Sequence, residues 1–164
     1  MPHWRGMVAD DLAAVQALAA IIHPDFPEDA AVFADRLALH PAGCFTLDRD
    51  GDAIGYVLSH PWHFGQPPKL NAVLGAPATS ATTYYIHDLA LLPAARKTGA
   101  AGAIVDRLAT HARALQLPNM TLVAINNSVH FWRRQGFDIV VDPLLDPHLK
   151  SYDTQACFMS RDLT

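Results

Sequence analysis

Apolar residues recur at helical spacing over Leu12, Val15, Leu18, Ala19 and Ile22, predicting an amphipathic helix that starts behind Asp10 or Asp11 and stops at His23-Pro24. A second such stripe starts near Glu28 and runs through Val32, Phe33, Leu37 and His40 until Pro41-Ala42-Gly43 breaks it. Trp4 to Met7 reads as a strand ahead of both. Behind them, Cys44 to Asp48 and Ala53 to Ser59 flank Arg49-Asp50-Gly51-Asp52, and Asp-Gly between strand-like runs predicts a tight antiparallel hairpin. His60 to Thr82 carries Pro61, Pro67, Pro68 and Pro77 and reads as a long loop with room for a short helix. Thr83 to Leu92 predicts a fourth strand. Gly99 to Leu115 predicts a helix that buries Ala101, Ile104, Val105, Leu108, Ala112 and Leu115. Met120 to Ile125, Phe137 to Val141 and Ala156 to Ser160 follow as strands, with a short helix over Ser128 to Gln135. Strands and helices in this order imply a mixed sheet.

Composition narrows the class. The chain has 164 residues, 51% hydrophobic and 17% charged, which fits one ordinary folded domain over 1–164. A formal net charge of −4 argues against nucleic acid as a main partner and is compatible with a cationic amine substrate. The longest apolar stretch, Leu12 to Ile22, is too short to span a membrane, and Met1-Pro2-His3-Trp4-Arg5 lacks the pattern of a secretory leader. Cytoplasmic residence is the expectation. Cys44 and Cys157 lie far apart without metal or redox spacing and are expected as buried, inert thiols. His60 and His63 have no third ligand at telling spacing, so no metal is expected, and Trp62 and His63 read instead as substrate-loop residues.

The most informative stretch runs from Leu89 through Pro93 and Arg96-Lys97-Thr98-Gly99-Ala100-Ala101-Gly102, an apolar strand turning straight into a helix. Amides at a helix start lack intrahelical partners and carry partial positive charge, so the turn is a seat for phosphate, with Arg96 and Lys97 adding full charges. Neither a Walker loop nor the three-glycine dinucleotide fingerprint is present. Arg96, Gly99 and Ala101 instead spell Arg-x-x-Gly-x-Ala. Downstream, Leu122 to Ile125, Asn126-Asn127, the aromatic pair Phe131-Trp132 and Gly136-Phe137 form a strand, an Asn, a short helix and a second strand.

In these two motifs the chain resembles the GNAT (GCN5-related) N-acetyltransferase superfamily. The resemblance implies an α+β (mixed α/β) single domain with a central, mostly antiparallel twisted sheet of about six to seven strands flanked by about four helices. It implies acetyl-CoA as acetyl donor and a primary amine of a small molecule or protein as acceptor, attacked directly in a ternary complex, and it allows a homodimer. By the same resemblance Leu89, Ala90 and Leu91 would pair with the pantetheine arm, and the amides of Lys97 through Gly102 would hold the pyrophosphate beside Arg96. Asn126 or Asn127 would touch the distal pantetheine. An amide near Leu89 would polarise the acetyl carbonyl.

Freeing an amine of lysine-like basicity at neutral pH costs about 4.6 kcal/mol, so a base is expected. Tyr84, Tyr85, His87 and Asp88 offer candidates, with His87, Asp88 and Tyr85 the catalytic expectation. On a regular strand His87 and Asp88 point to opposite faces, so at most one of them faces the cleft. Family members often carry a Tyr acid where this chain has Trp132. Trp132 is therefore expected to wall the coenzyme, and water, Tyr84 or Tyr85 to protonate the sulfur. The alternative is a non-catalytic acyl-CoA-binding regulatory module. Substrate identity is expected to depend on His23 to Phe26, on the 60–82 loop and on the carboxy-terminal segment.

Overall fold

The computed structural model describes residues 1–150 and 152–164, Asp146 by its backbone only. The chain runs β1 (His3–Gly6), α1 (Leu12–Ile22), α2 (Ala30–Leu39), β2 (Phe45–Arg49), β3 (Asp52–Trp62), β4 (Thr83–Leu91), α3 (Ala100–Ala114), β5 (Asn119–Ala124), α4 (Val129–Arg134), β6 (Asp138–Ile139), α5 (Asp146–Leu149) and β7 (Cys157–Asp162). The strands form one sheet in the order β1-β2-β3-β4-β5-β7-β6. Every pairing is antiparallel except β4 with β5. Among the described residues no helix is long and apolar enough to cross a membrane.

Helices cover both faces of the sheet. α3 buries Ile104, Val105, Leu108, Ala109 and Ala112 against Val57, Tyr84, Ile86, Met120 and Leu122. On the other face Val15 and Leu18 of α1 and Phe33 of α2 pack on Tyr56, Leu58 and Ala90. Leu115 is not in the stripe: α3 stops at Ala114, Gln116 takes a left-handed φ of 61°, and Leu117 packs on the core instead while Leu115 is exposed.

The hairpin loop and most element positions fall where the pattern places them, and two elements differ. β3 runs on through His60, Pro61 and Trp62, pairing with β4 as far as Trp62↔Thr83, so the loop starts later and has no helix of its own. Proline fits there because β2 leaves β3 at Phe45↔Val57, and beyond that point β3 is an edge needing no donor on that side. A four-residue helix, α5, stands in the segment that carried no pattern. Cys44 is fully buried, with its thiol pushed up to about 11 by burial, whereas Cys157 is only half-buried on the last strand.

Gly43, between α2 and β2, is a packing glycine: a Cβ there would collide with the Ser59 carbonyl and the Tyr84 hydroxyl. Ser59 and Tyr84 are held in place there, since Ser59 Oγ donates to Gly43 O (2.7 Å) and bonds Tyr84 Oη (2.8 Å). Gly43→Ala is therefore expected to destabilise the fold by about 1–3 kcal/mol, the usual cost of overpacking, read as a lower urea midpoint at unchanged m.

Candidate active site

The parallel neighbours β4 and β5 pair only over Tyr84–Ile86 and Met120–Leu122. Beyond that, β4 follows β3 to Gly55↔Leu91 while β5 follows β7 to Ala124↔Cys157, and the two strands part. The wedge between them is a cleft of about 810 Å³, within the range of small-molecule sites. Leu92 N–H donates to Ile54 O of β3 (2.9 Å). Amides alternate along a strand, so those of Leu89 and Leu91 point to the open edge, where an extended ligand can pair as an added strand.

At one end the cleft meets the start of α3. Lys97 (φ 63°) and Gly99 (φ 85°) are left-handed, the alternation that gathers successive backbone N–H groups into an anion-binding hollow. Arg96 Nε donates to Leu91 O (3.2 Å), which fixes its guanidinium beside the strand end. Arg96, Lys97, Gly99, Ala101 and Gly102 line the cleft, as do Leu89, Ala90 and Leu91. Thr98 and Ala100 stand off it: Thr98 Oγ1 donates to Ala95 O (2.6 Å) and accepts from Ala100 N (3.3 Å), and Ala100 O takes the Trp4 indole N–H (2.8 Å). Asn126 lines the cleft and Asn127 does not. Trp132 contributes one wall with its buried ring edge-on to Phe131 and Phe137.

At the other end lie the titratable groups. Leu58 pairs with Asp88 and Ser59 with Ile86, so His87 is the extra residue of a β-bulge. The bulge reverses side-chain parity: Tyr84 and Ile86 face α3, while Ala90, an even number away, faces α1 and α2. This overturns the expectation for a regular strand, and both His87 and Asp88 line the cleft. His87 Nε2 lies 2.8 Å from Glu28 Oε1, and its Nδ1 is buried with no hydrogen-bond partner among the described residues. His23 Nε2 lies 2.9 Å from Asp88 Oδ1, and Tyr56 Oη donates to Asp88 Oδ2. Asn126 Nδ2 bonds His23 Nδ1 (2.9 Å).

Tyr85 is buried with its ring 6.4 Å from His87, and burial drives its hydroxyl well above the usual range. Tyr84 turns to the opposite face, bonded to Ser59 and away from the cleft, so it cannot reach a departing sulfur there. Trp62 and His63 line neither the cleft nor its side recess. His23, Glu28 and Tyr56 complete the cluster; of these, His23 belongs to the segment expected to govern substrate identity, while Glu28 and Tyr56 carry no expectation as site residues. The signal for Glu28 is its position, since His23 and Glu28 bracket the turn between the first two helices.

Burial disfavours the charged form of every group here, and the pairings decide the outcome. For Asp88, burial is outweighed by His23, by the charge of His87 and by Tyr56, holding the carboxyl below its ordinary value. Glu28 is likewise lowered, burial being overcome by His87. Burial pushes His23 down but Asp88, helped by Glu28, raises it on balance. A raised histidine stabilises the fold below its unfolded value of 6.5 and loses that contribution as pH climbs through the folded value. A lowered aspartate contributes above 3.8 and loses it as pH falls through the folded value. The pair is worth most between about pH 4 and 6.5. His40, His60 and His111 are lowered and act in the opposite sense, so the informative quantity is a difference. The stability gap between wild type and His23→Gln, from urea midpoints, is expected to be widest near pH 5.5 and to shrink towards pH 9.

The family model described as acetyltransferase (GNAT) family matches residues 12–137. No curated protein matches the chain in sequence. Among solved structures, the loading GNATL domain of CurA from Lyngbya majuscula superposes with a TM-score of 0.81 at 14% identity, over 99% of this chain and 98% of that one. Ard1 from Thermoplasma volcanium gives 0.75 at 17% identity, over 99% and 98%. The ribosomal-protein-S18-alanine N-acetyltransferase from Escherichia coli gives 0.68 at 15% identity, over 100% and 95%. At these identities the likeness is one of fold.

Proposed function

The chain belongs to the acetyltransferase (GNAT) family, and from that premise we propose that it transfers an acetyl group from acetyl-CoA to a primary amine by direct attack. The reading is carried by one arrangement: an open strand edge, a helix start with free amides and two buried histidines, each bonded to a carboxylate, share a single cleft.

The cleft residues fit the donor. The hollow from Lys97 to Gly102, with Arg96 beside it, would hold the diphosphate, and the edge of Leu89 to Leu91 would hold the pantetheine, with Asn126 near its distal part. Bound there, acetyl-CoA would supply an electrophilic thioester carbonyl, polarised by the Leu89 N–H, and coenzyme A would depart as the thiolate when the C–S bond breaks and the amide C–N bond forms.

The acceptor must shed a proton. Asp88 is a weak base, since both of its oxygens are bonded and its carboxyl is held low. His87 is better suited. Its Nε2–H donates to Glu28, which fixes the tautomer and leaves the Nδ1 lone pair without a partner among the described residues, ready to take the ammonium proton. His23 and Asp88 then position the far wall, tied to Asn126. A passive acyl-CoA-binding module leaves these buried pairs without a role.

The test is turnover of isotopically labelled acetyl-CoA against a broad amine panel, alongside calorimetric titration with acetyl-CoA. Labelled amide product supports the reading; tight binding with no transfer to any amine refutes it.

A further inference from the structure

Beside the main cleft lies a side recess of about 40 Å³, room for roughly three water-sized groups. Glu28 and Asp88 place two carboxylates on its wall, and Phe26, Leu70, Tyr85 and Tyr152 supply apolar surface. Its basic groups among the described residues are His23 and His87, each already bonded to one of those carboxylates, and no Lys or Arg joins them. Arg36, whose charge is felt by both tyrosines, is fully buried and absent from the lining, so it offers an incoming carboxylate nothing to touch.

The wall is held in place from three directions. Glu28 Oε1 bonds His87 while its Oε2 accepts Asn71 N–H (3.0 Å), which fastens the loop carrying Leu70. Asn71 also accepts Asp29 N–H (2.7 Å) and donates to the Asp29 carboxylate (3.1 Å). Asp35 accepts the N–H groups of Leu74 and Gly75 (both 2.9 Å). With the loop pinned by three carboxylates, the recess has little freedom to widen.

Resting on the transferase reading above, we propose that the acceptor is an unbranched primary ammonium, –CH2–CH2–NH3+, rather than an α-branched amine or an α-amino acid. The ammonium lies between Glu28 and Asp88, each of which keeps spare lone pairs, and two methylenes fill the remaining room. A branch at the carbon next to nitrogen meets Leu70 and the aromatic walls. A carboxylate there would be a third beside Glu28 and Asp88, whose histidine partners His87 and His23 are already engaged with them.

Free alkylamines and the ε-amine of a lysine side chain share this chemistry. The experiment measures kcat/KM at saturating acetyl-CoA for butylamine, sec-butylamine, 2-aminobutanoate and an Nα-acetyl-lysine amide peptide, each normalised to its uncatalysed acetylation. Butylamine, the lysine peptide or both are expected to exceed sec-butylamine and 2-aminobutanoate by at least about tenfold, the discrimination a missing or added methylene gives. Which of the two leads distinguishes a small-molecule from a protein source. Leu70→Ala, with its fold checked by melting temperature, is expected to narrow the butylamine to sec-butylamine ratio by raising the latter. Equal or better turnover of the branched amine or the amino acid overturns the inference and leaves the transferase reading standing. Transfer to none of the four, with acetyl-CoA still bound, overturns the inference, while the transferase reading falls only if the broad amine panel also gives no product.

Discussion

His87→Ala is expected to lower kcat/KM for amine acetylation by about 10²- to 10⁴-fold, the span typical of a lost general base. Acetyl-CoA affinity is expected to stay within a few-fold of wild type, because His87 stands at the opposite end of the cleft from the α3 start. The loss should shrink as the pH rises towards the acceptor's own pKa, where free amine is supplied by the solvent. A structural role would not produce that recovery. Steady-state rates from pH 6.5 to 10 check it. Should the variant lose the same factor at every pH, His87 does not take the proton.

Gly102→Glu is expected to separate binding from stability. The residue occupies the first turn of α3 and lines the cleft, yet a Cβ there would meet only the Gln135 side-chain amide, at the ordinary contact distance of 3.5 Å. Packing therefore does not require glycine. Replacing a helical glycine gains about 0.5–1 kcal/mol, and a carboxylate in the first turn of a helix adds about 0.3–1 kcal/mol. Against that, a negative side chain would occupy the hollow meant for a diphosphate. Affinity for acetyl-CoA should fall at least about 100-fold, or about 2.7 kcal/mol. Calorimetric titration and thermal unfolding read the two effects separately. A variant that melts higher and binds as tightly as wild type would sink the assignment of this turn as a phosphate seat.

How much could be read in advance depended on how local each feature is. The turn proposed to hold the diphosphate is contiguous, with Arg96, Gly99 and Gly102 close together in sequence, so spacing suffices to mark it as a candidate. The acid–base cluster is assembled from partners 59 and 65 residues apart, Glu28 with His87 and His23 with Asp88. Nothing in the neighbourhood of either residue announces its partner. The same holds for the bulge, which is a mismatch of register between β3 and β4 and so belongs to neither strand by itself. Pro61 looked like a strand breaker because its missing donor counts only where a neighbour is present, and β2 has already left by then. The recess, by contrast, draws on all three segments expected to govern the acceptor: Phe26 from the interhelix turn, Leu70 from the loop and Tyr152 from the carboxy-terminal stretch.

The additional residue at position 87 acts as a half-turn inserted into a ribbon. Excising it would leave the strand paired and every later side chain where it already is, because Leu58↔Asp88 and Ser59↔Ile86 would become consecutive pairs: Asp88 would stay with Leu58 on the α1 and α2 side, and Leu89 with Val57 beneath α3. A single-codon deletion there would thus straighten the ribbon and subtract one imidazole while sparing the rest of the mouth, a loss comparable to His87→Ala rather than a rearrangement of the sheet.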